Sequence, residues 1–170
     1  MLTSCSLTPW TAAGSGSGTF NPQQIGATSV VVMISTSTFT TSDFDLTDYV
    51  PAITTGLPTG HLRMAKTYAG EVTGRSITQF TSAFDQDRGV GTYVALESFE
   101  GAVNGRQGAF NVVHAASTNG SDRFNEYGVI VPGSGTGELT GITGSVRLRI
   151  DADGTHHMDF DHDLAAGDAD

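Results

Sequence analysis

The stretch from Tyr93 to Ala116 reads YVALESFEGAVNGRQGAFNVVHAA, and its reading decides the fold. Asn104-Gly105 sits at its centre. A two-residue type I′ turn needs positive φ at both central positions, and Asn-Gly meets that need at least cost. The turn pairs Val103 with Arg106, and from there Phe99 faces Phe110, Glu97 faces Val112, Ala95 faces His114 and Tyr93 faces Ala116. Side chains alternate along a strand with a period of two. Tyr93, Glu97, Phe99, Phe110, Val112 and His114 therefore share one face, and its aromatic, apolar character marks it as the inner one. That face carries a carboxylate and an imidazole as diagonal cross-strand neighbours, within reach of one another.

Outward from this hairpin the chain keeps the same chemistry. Short runs of Val, Thr, Phe, Ile and Tyr, broken by Gly, Asn and Asp, predict strands near 29–40, 61–69, 72–84, 90–100, 106–117, 123–131, 137–140, 143–150 and 155–164. The segment 43–58, with two prolines and scattered acids, reads as a loop. No stretch sustains an apolar stripe of helical period. Many short strands without a long helix predict an all-β fold, and a closed antiparallel β-barrel of about eight strands removes the edges such strands would expose.

The ends differ from the body. Residues 1–19 are rich in Ser, Thr and Gly and read as a flexible N-terminal segment; residues 20–164 form the single barrel domain; residues 165–170 form an acidic tail. The chain has 170 residues and a formal net charge of −10, from 18 Asp and Glu against 8 Lys and Arg. That balance excludes the basic footprint of a nucleic-acid binder and opposes anionic membrane surfaces. A single cysteine, Cys5, permits no disulfide within the chain and no thiolate cluster. With neither a secretory leader nor a membrane-length apolar run in view, a cytoplasmic location is expected.

Glu97 and His114 are the leading candidates for acid–base chemistry, because a carboxylate and an imidazole in an apolar lumen have shifted pKa values. The plainer reading makes them a buried polar pair that fixes strand register, since an unpaired buried carboxylate is costly. Tyr93 shares their face and is placed to orient a ligand. Tyr68 and Arg63 are further candidates for the lumen. Arg63 and Lys66 have opposite parity, so a regular strand turns at most one of them inward. Lys66 is the single lysine, and a solvated surface position is the ordinary role of such a residue.

Other motifs carry less. Pro132-Gly133-Ser134-Gly135-Thr136-Gly137 lacks the Lys-Ser/Thr ending of a phosphate-binding loop, and its glycines suit a tight connection. Asp159, Asp161 and Asp163 alternate along one strand face and could gather a cation, but a hairpin turn with a polar outer face and an acidic tail is the ordinary reading of this segment. No metal or cofactor is called for. No serine sits in a nucleophile elbow, and Cys5 near the terminus lacks the setting of a catalytic thiol.

Four motifs taken in order carry a resemblance: Tyr68-Ala-Gly70-Glu71-Val-Thr-Gly74, Leu96-Glu97-Ser98-Phe99-Glu100-Gly101, Gly105-Arg106-Gln107-Gly108-Ala109-Phe110 with His114, and Val131 to Leu139. Together they resemble domain-of-unknown-function family 3224, of the allene oxide cyclase barrel-like superfamily, over about residues 60–164. The chain departs from the family pattern at Ser98, where a basic residue is expected, and in its long Thr-rich segment 29–60. The resemblance implies an antiparallel barrel whose lumen takes a small ligand. Related barrels include cyclases that fold a reactive apolar chain and dirigent-type proteins that orient radicals.

The expected function is binding of an apolar small molecule in the lumen, with cofactor-free isomerisation, cyclisation or lyase chemistry. Glu97 and His114 would be catalytic; Tyr93, Phe99, Phe110, Val112, Tyr68 and Arg63 would bind substrate. A non-catalytic ligand-binding or structural barrel is the first alternative. An aspartic-type hydrolase pairing Glu97 with a second acid such as Glu138 is the other. The related barrels often assemble, so a homo-oligomer is compatible with the sequence.

Overall fold

The computed structural model describes residues 33–48 and 51–164. The expected flexible segment, the first four residues of the first candidate strand, Cys5 and the acidic tail lie outside them. Eight strands follow in order: β1 (Met33–Leu46), β2 (Thr59–Gly70), β3 (Val72–Asp85), β4 (Val90–Val103), β5 (Arg106–Asn119), β6 (Arg123–Ile130), β7 (Thr143–Ile150) and β8 (His156–Asp163). Each pairs antiparallel with its neighbour in sequence, and β8 returns to β1, with Ser35 opposite Phe160, to close the barrel. No helix among the described residues is long and apolar enough to cross a membrane.

The β4–β5 register is the one the Asn-Gly turn dictates: Val103 faces Arg106, Phe99 faces Phe110 and Ala95 faces His114. Asn104 (φ 50°) and Gly105 (φ 83°) adopt the two positive φ angles of that turn. Asn104 also donates its amide to Ser35 Oγ at 2.7 Å, tying the turn to β1 across the barrel end. Gly74 and Gly101 face each other on β3 and β4 with φ of 145° and 155°. A Cβ on either would lie 2.2 or 2.1 Å from a carbonyl oxygen of the facing strand, so both positions require glycine.

Two expectations are corrected. The candidate strand at 137–140 is a 3₁₀ turn, Gly137–Leu139, because Leu139 joins the core and Glu138 accepts the backbone N–H of Gln107. The expected loop from residue 43 begins later, since β1 runs on to Leu46 past a register shift between Ser42 and Asp45, with Asp43 at positive φ.

Inward-facing residues fill one end of the lumen. Phe39, Tyr68, Phe99, Phe110, Met158 and Phe160 belong to one buried cluster, which Leu139 and Ile142 of the β6–β7 connection join. Phe99 and Phe110 pack with centroids 4.9 Å apart, and Tyr68 meets Phe99 edge-on at 5.6 Å. Each buried aromatic contributes roughly 1.5–3 kcal/mol by leaving water. This solid end fixes the strand spacing for what lies beyond it.

Candidate functional site

Beyond the aromatic cluster the lumen opens into a cavity of about 230 Å³. Phe39, Met64, Phe80, Leu148 and Ile150 supply its apolar walls, while Lys66, Thr78, Tyr93, His114, Arg123 and His156 supply polar groups. Strand alternation puts Met64 and Lys66 of β2, Thr78 and Phe80 of β3, Tyr93 of β4 and His114 of β5 on the inner face. Between β6 and β7 the wall is thin. The two strands register at Val129 with Ser145 and Ile130 with Gly144, and a cleft of about 290 Å³ lies alongside them. Glu126, Tyr127 and Arg147 line that cleft, and it reaches Tyr93, His114 and Arg123.

The polar groups form one network around Glu97. Glu97 Oε2 accepts from Lys66 Nζ at 2.5 Å, and Oε1 accepts from Ser76 Oγ at 2.8 Å and from the Tyr68 hydroxyl. His114 Nε2 stands 3.5 Å from Glu97 Oε2 and 3.3 Å from Lys66 Nζ. On the other side of the ring, His114 Nδ1 is 3.0 Å from the Tyr93 hydroxyl, which accepts from Arg123 Nη2 at 2.9 Å. The Arg123 bond occupies an acceptor site of Tyr93 and leaves the phenolic proton for Nδ1. In that tautomer Nε2 carries the ring hydrogen toward Glu97 Oε2, whereas with the hydrogen on Nδ1 it would be Nε2 that accepts from Lys66.

Burial raises the pKa of Glu97, but the His114 bond and the Lys66 ammonium outweigh it and hold the carboxyl well below the usual carboxylate range. Burial lowers the pKa of His114, with Lys66 acting in the same sense against the opposing pull of Glu97, so the ring is neutral near pH 7. Tyr93 and Tyr68 are both raised, first by burial. The resting site is a carboxylate, an ammonium, a neutral imidazole and two phenols. Lys66 Nζ also lies 4.7 Å from the centroid of the Phe39 ring, a further support for its charge.

The candidates from the sequence separate into four groups. His114 and Tyr93 line the cavity. Glu97 lies behind them, 1% exposed, and holds Lys66 and His114 rather than forming the wall. Tyr68, Phe99, Phe110 and Val112 are packed in the core at the filled end, so they shape the cavity from below without lining it. Arg63 is corrected outright: its side chain is exposed and pairs with Asp45 at 3.3 Å on the outer wall. Parity turns Lys66 inward in its place, 3% exposed. The pairing of Glu97 with Glu138 is not formed, since Glu97 is bonded to a lysine and two hydroxyls while Glu138 accepts the Gln107 N–H on an exposed turn.

Thr78, Phe80 and Arg123 were not among the sequence candidates. Thr78 and Phe80 share the inward parity of Ser76 and face the β4 residues Glu97 and Ala95, so the hairpin register extended to β3 would have found them. Arg123 opens β6 after a loop, and no register signal reaches it. On β8, Asp159 forms an ion pair with Arg149 at 3.0 Å and His157 Nε2 is hydrogen-bonded to Asp151 at 2.7 Å, which gives both partners on the strand's outer side. Among the described residues no three His, Cys, Asp or Glu side chains gather as a metal site would require.

A family model described as "Protein of unknown function (DUF3224)" matches residues 35–162. A crystal structure of a protein of unknown function from the DUF3224 family of Shewanella oneidensis MR-1 superposes with a TM-score of 0.71 at 28% identity, covering 81% of this chain and all of that one. No curated protein matches the chain.

Proposed function

This chain belongs to the DUF3224 family, and from that premise we propose that it binds a small, mainly apolar molecule in the open end of its barrel and moves a proton on it without a cofactor. An isomerisation, cyclisation or lyase step is the reaction class. The observation that carries the reading is the cavity itself: apolar walls around a bonded series running from Arg123 through Tyr93 and His114 to Glu97. Resemblance to the allene oxide cyclase-like barrels supports it, since that superfamily includes cyclases that fold a reactive apolar chain.

Each residue then has a task. The Tyr93 hydroxyl turns from His114 to donate to a ligand carbonyl oxygen. That move frees the Nδ1 lone pair of His114 to take a proton from an adjacent carbon. Glu97 accepts the opposite N–H and stabilises the imidazolium that results, and return of the proton to a second carbon completes an isomerisation. Glu97 is a positioning residue here, because the network stands between it and the cavity. Phe80, stacked on Tyr93 at 4.9 Å, holds the phenol in place.

A second reading has its own support. Glu97 is satisfied by Lys66, Tyr68 and Ser76, which is sufficient reason for a carboxylate to be buried there. On that reading the barrel binds its ligand without changing it. One experiment separates the two: a panel of small ketones and enones is incubated with the protein in D₂O and followed by proton NMR. Catalysed exchange of carbon-bound hydrogen, lost by roughly a hundredfold or more in His114→Phe, is the expected result. Saturation transfer to a bound ketone without exchange would leave the binding reading alone standing, and silence in both measurements would remove both.

A further inference from the structure

The chain carries a formal charge of −10, yet the cavity lining holds two permanent cations, Lys66 and Arg123, and no carboxylate. Their acidic partners stand behind them. Glu97 lies beneath Lys66, and Glu126 approaches Arg123 Nε only to 3.9 Å without belonging to the lining. Two polar atoms of the lining residues are left over. Thr78 is fully buried and its hydroxyl has no hydrogen-bond partner; Arg123 Nε is buried and likewise has none. A buried donor without an acceptor is costly, and natural interiors keep few of them. Thr78 stands two residues along β3 from Ser76, the register partner of Lys66, so its side chain and the ammonium rise from the same inner patch.

We propose that the ligand of this cavity is a small monoanion, with an apolar body and one oxyanion headgroup of carboxylate, enolate or phenolate type met by Lys66, Thr78 and Arg123. The inference rests on the reading of the cavity as a binding site and adds the charge and placement of the headgroup. Lys66 supplies donors beyond the one given to Glu97, Arg123 supplies Nε, and Thr78 supplies its hydroxyl. The apolar body then lies along Phe39, Leu148 and Ile150. For the proton transfer described above, the same groups would stabilise an enolate as charge develops on the ligand oxygen.

The test is calorimetric titration of the full chain at pH 7.5 and low salt with two matched pairs, cinnamate against cinnamyl alcohol and hexanoate against hexan-1-ol. At least one acid should bind about tenfold or more tightly than its alcohol, as charge-assisted hydrogen bonds require. Thr78→Val, which keeps the side-chain shape, and Arg123→Gln should each weaken the acid by about fivefold or more and leave the alcohol within about twofold. Alcohols that bind as tightly as their acids, or acids indifferent to both substitutions, would overturn the headgroup assignment while leaving the binding site intact. No binding by any of the four probes would remove the binding site and this assignment together.

Discussion

The Lys66 ammonium lies 2.5 Å from Glu97 Oε2, and both side chains are almost wholly withdrawn from water, at 3% and 1% exposure. Removing one partner of such a pair leaves the other charge buried and uncompensated. Lys66→Met should therefore cost about 3–5 kcal/mol. Adding Glu97→Gln to it should recover more than half of that loss, since the amide oxygen still accepts from Tyr68 or Ser76 without a charge to bury. Urea unfolding of the two single variants and the double variant measures the coupling. Additive losses would mean that the two groups do not hold each other.

Acid should act in two steps. The folded-state pKa of His114 is lowered by burial, so the unfolded chain takes up the proton first. Stability is full above the unfolded value of about 6.5 and falls as the pH drops below it. His162, lowered by burial against the pull of Asp161 and Asp163, adds to the same limb. Glu97 is also depressed, so its contribution is present above the unfolded value of about 4.3 and is lost as the pH falls further. Unfolding midpoints from pH 8 to 3 should show both limbs, and His114→Gln should shrink the upper one. An upper limb untouched by that substitution would place the effect elsewhere.

Tyr93→Phe keeps the stack on Phe80 and removes the hydroxyl 3.0 Å from His114 Nδ1, a donor to the ring when the ring hydrogen is on Nε2. Losing a donor to the neutral ring makes protonation easier, so the His114 pKa should rise in this variant. The Cε1 proton of His114, titrated by NMR, reports it. A fall or no movement would contradict the assignment of the ring hydrogen to Nε2.

Gly74 and Gly101 predict a loss that owes nothing to the site. Alanine at either position adds a Cβ within 2.2 Å of a facing backbone oxygen at a φ that side chains rarely adopt. Each substitution should cost upwards of about 3 kcal/mol, and expression of folded barrel should drop accordingly. Asn104→Ala should cost less, because Gly105 still permits the turn, but it removes the bond to Ser35.

Much of this arrangement is legible in the amino-acid sequence. Asn104-Gly105 fixed a register that placed Glu97, His114 and Tyr93 on one face, because a two-residue turn leaves no slack. The same logic stops at longer connections: nothing in the sequence sets the phase of β6, so Arg123 stayed hidden. Lys66 was legible as one of two parity choices with Arg63, and local pattern could not decide between them. What decides is Glu97, a buried carboxylate that demands a cation, and Lys66 reaches it from β2, across the intervening β3. The depth of the lumen was not legible either, since Phe99 and Phe110 read alike as wall or as filling.

The sparse seam between β6 and β7 lies beside the chamber, and the cleft along it shares Tyr93, His114 and Arg123 with the chamber's lining. A guest of the proposed kind would meet Tyr93, His114 and Arg123 from this flank as well as from the mouth of the barrel. How long such a guest lodged and how strongly it was preferred would then be governed by different parts of the molecule. Fastening Glu126 to Arg147 across that gap would slow arrival and departure alike, while the chamber's choice of guest stayed as it is.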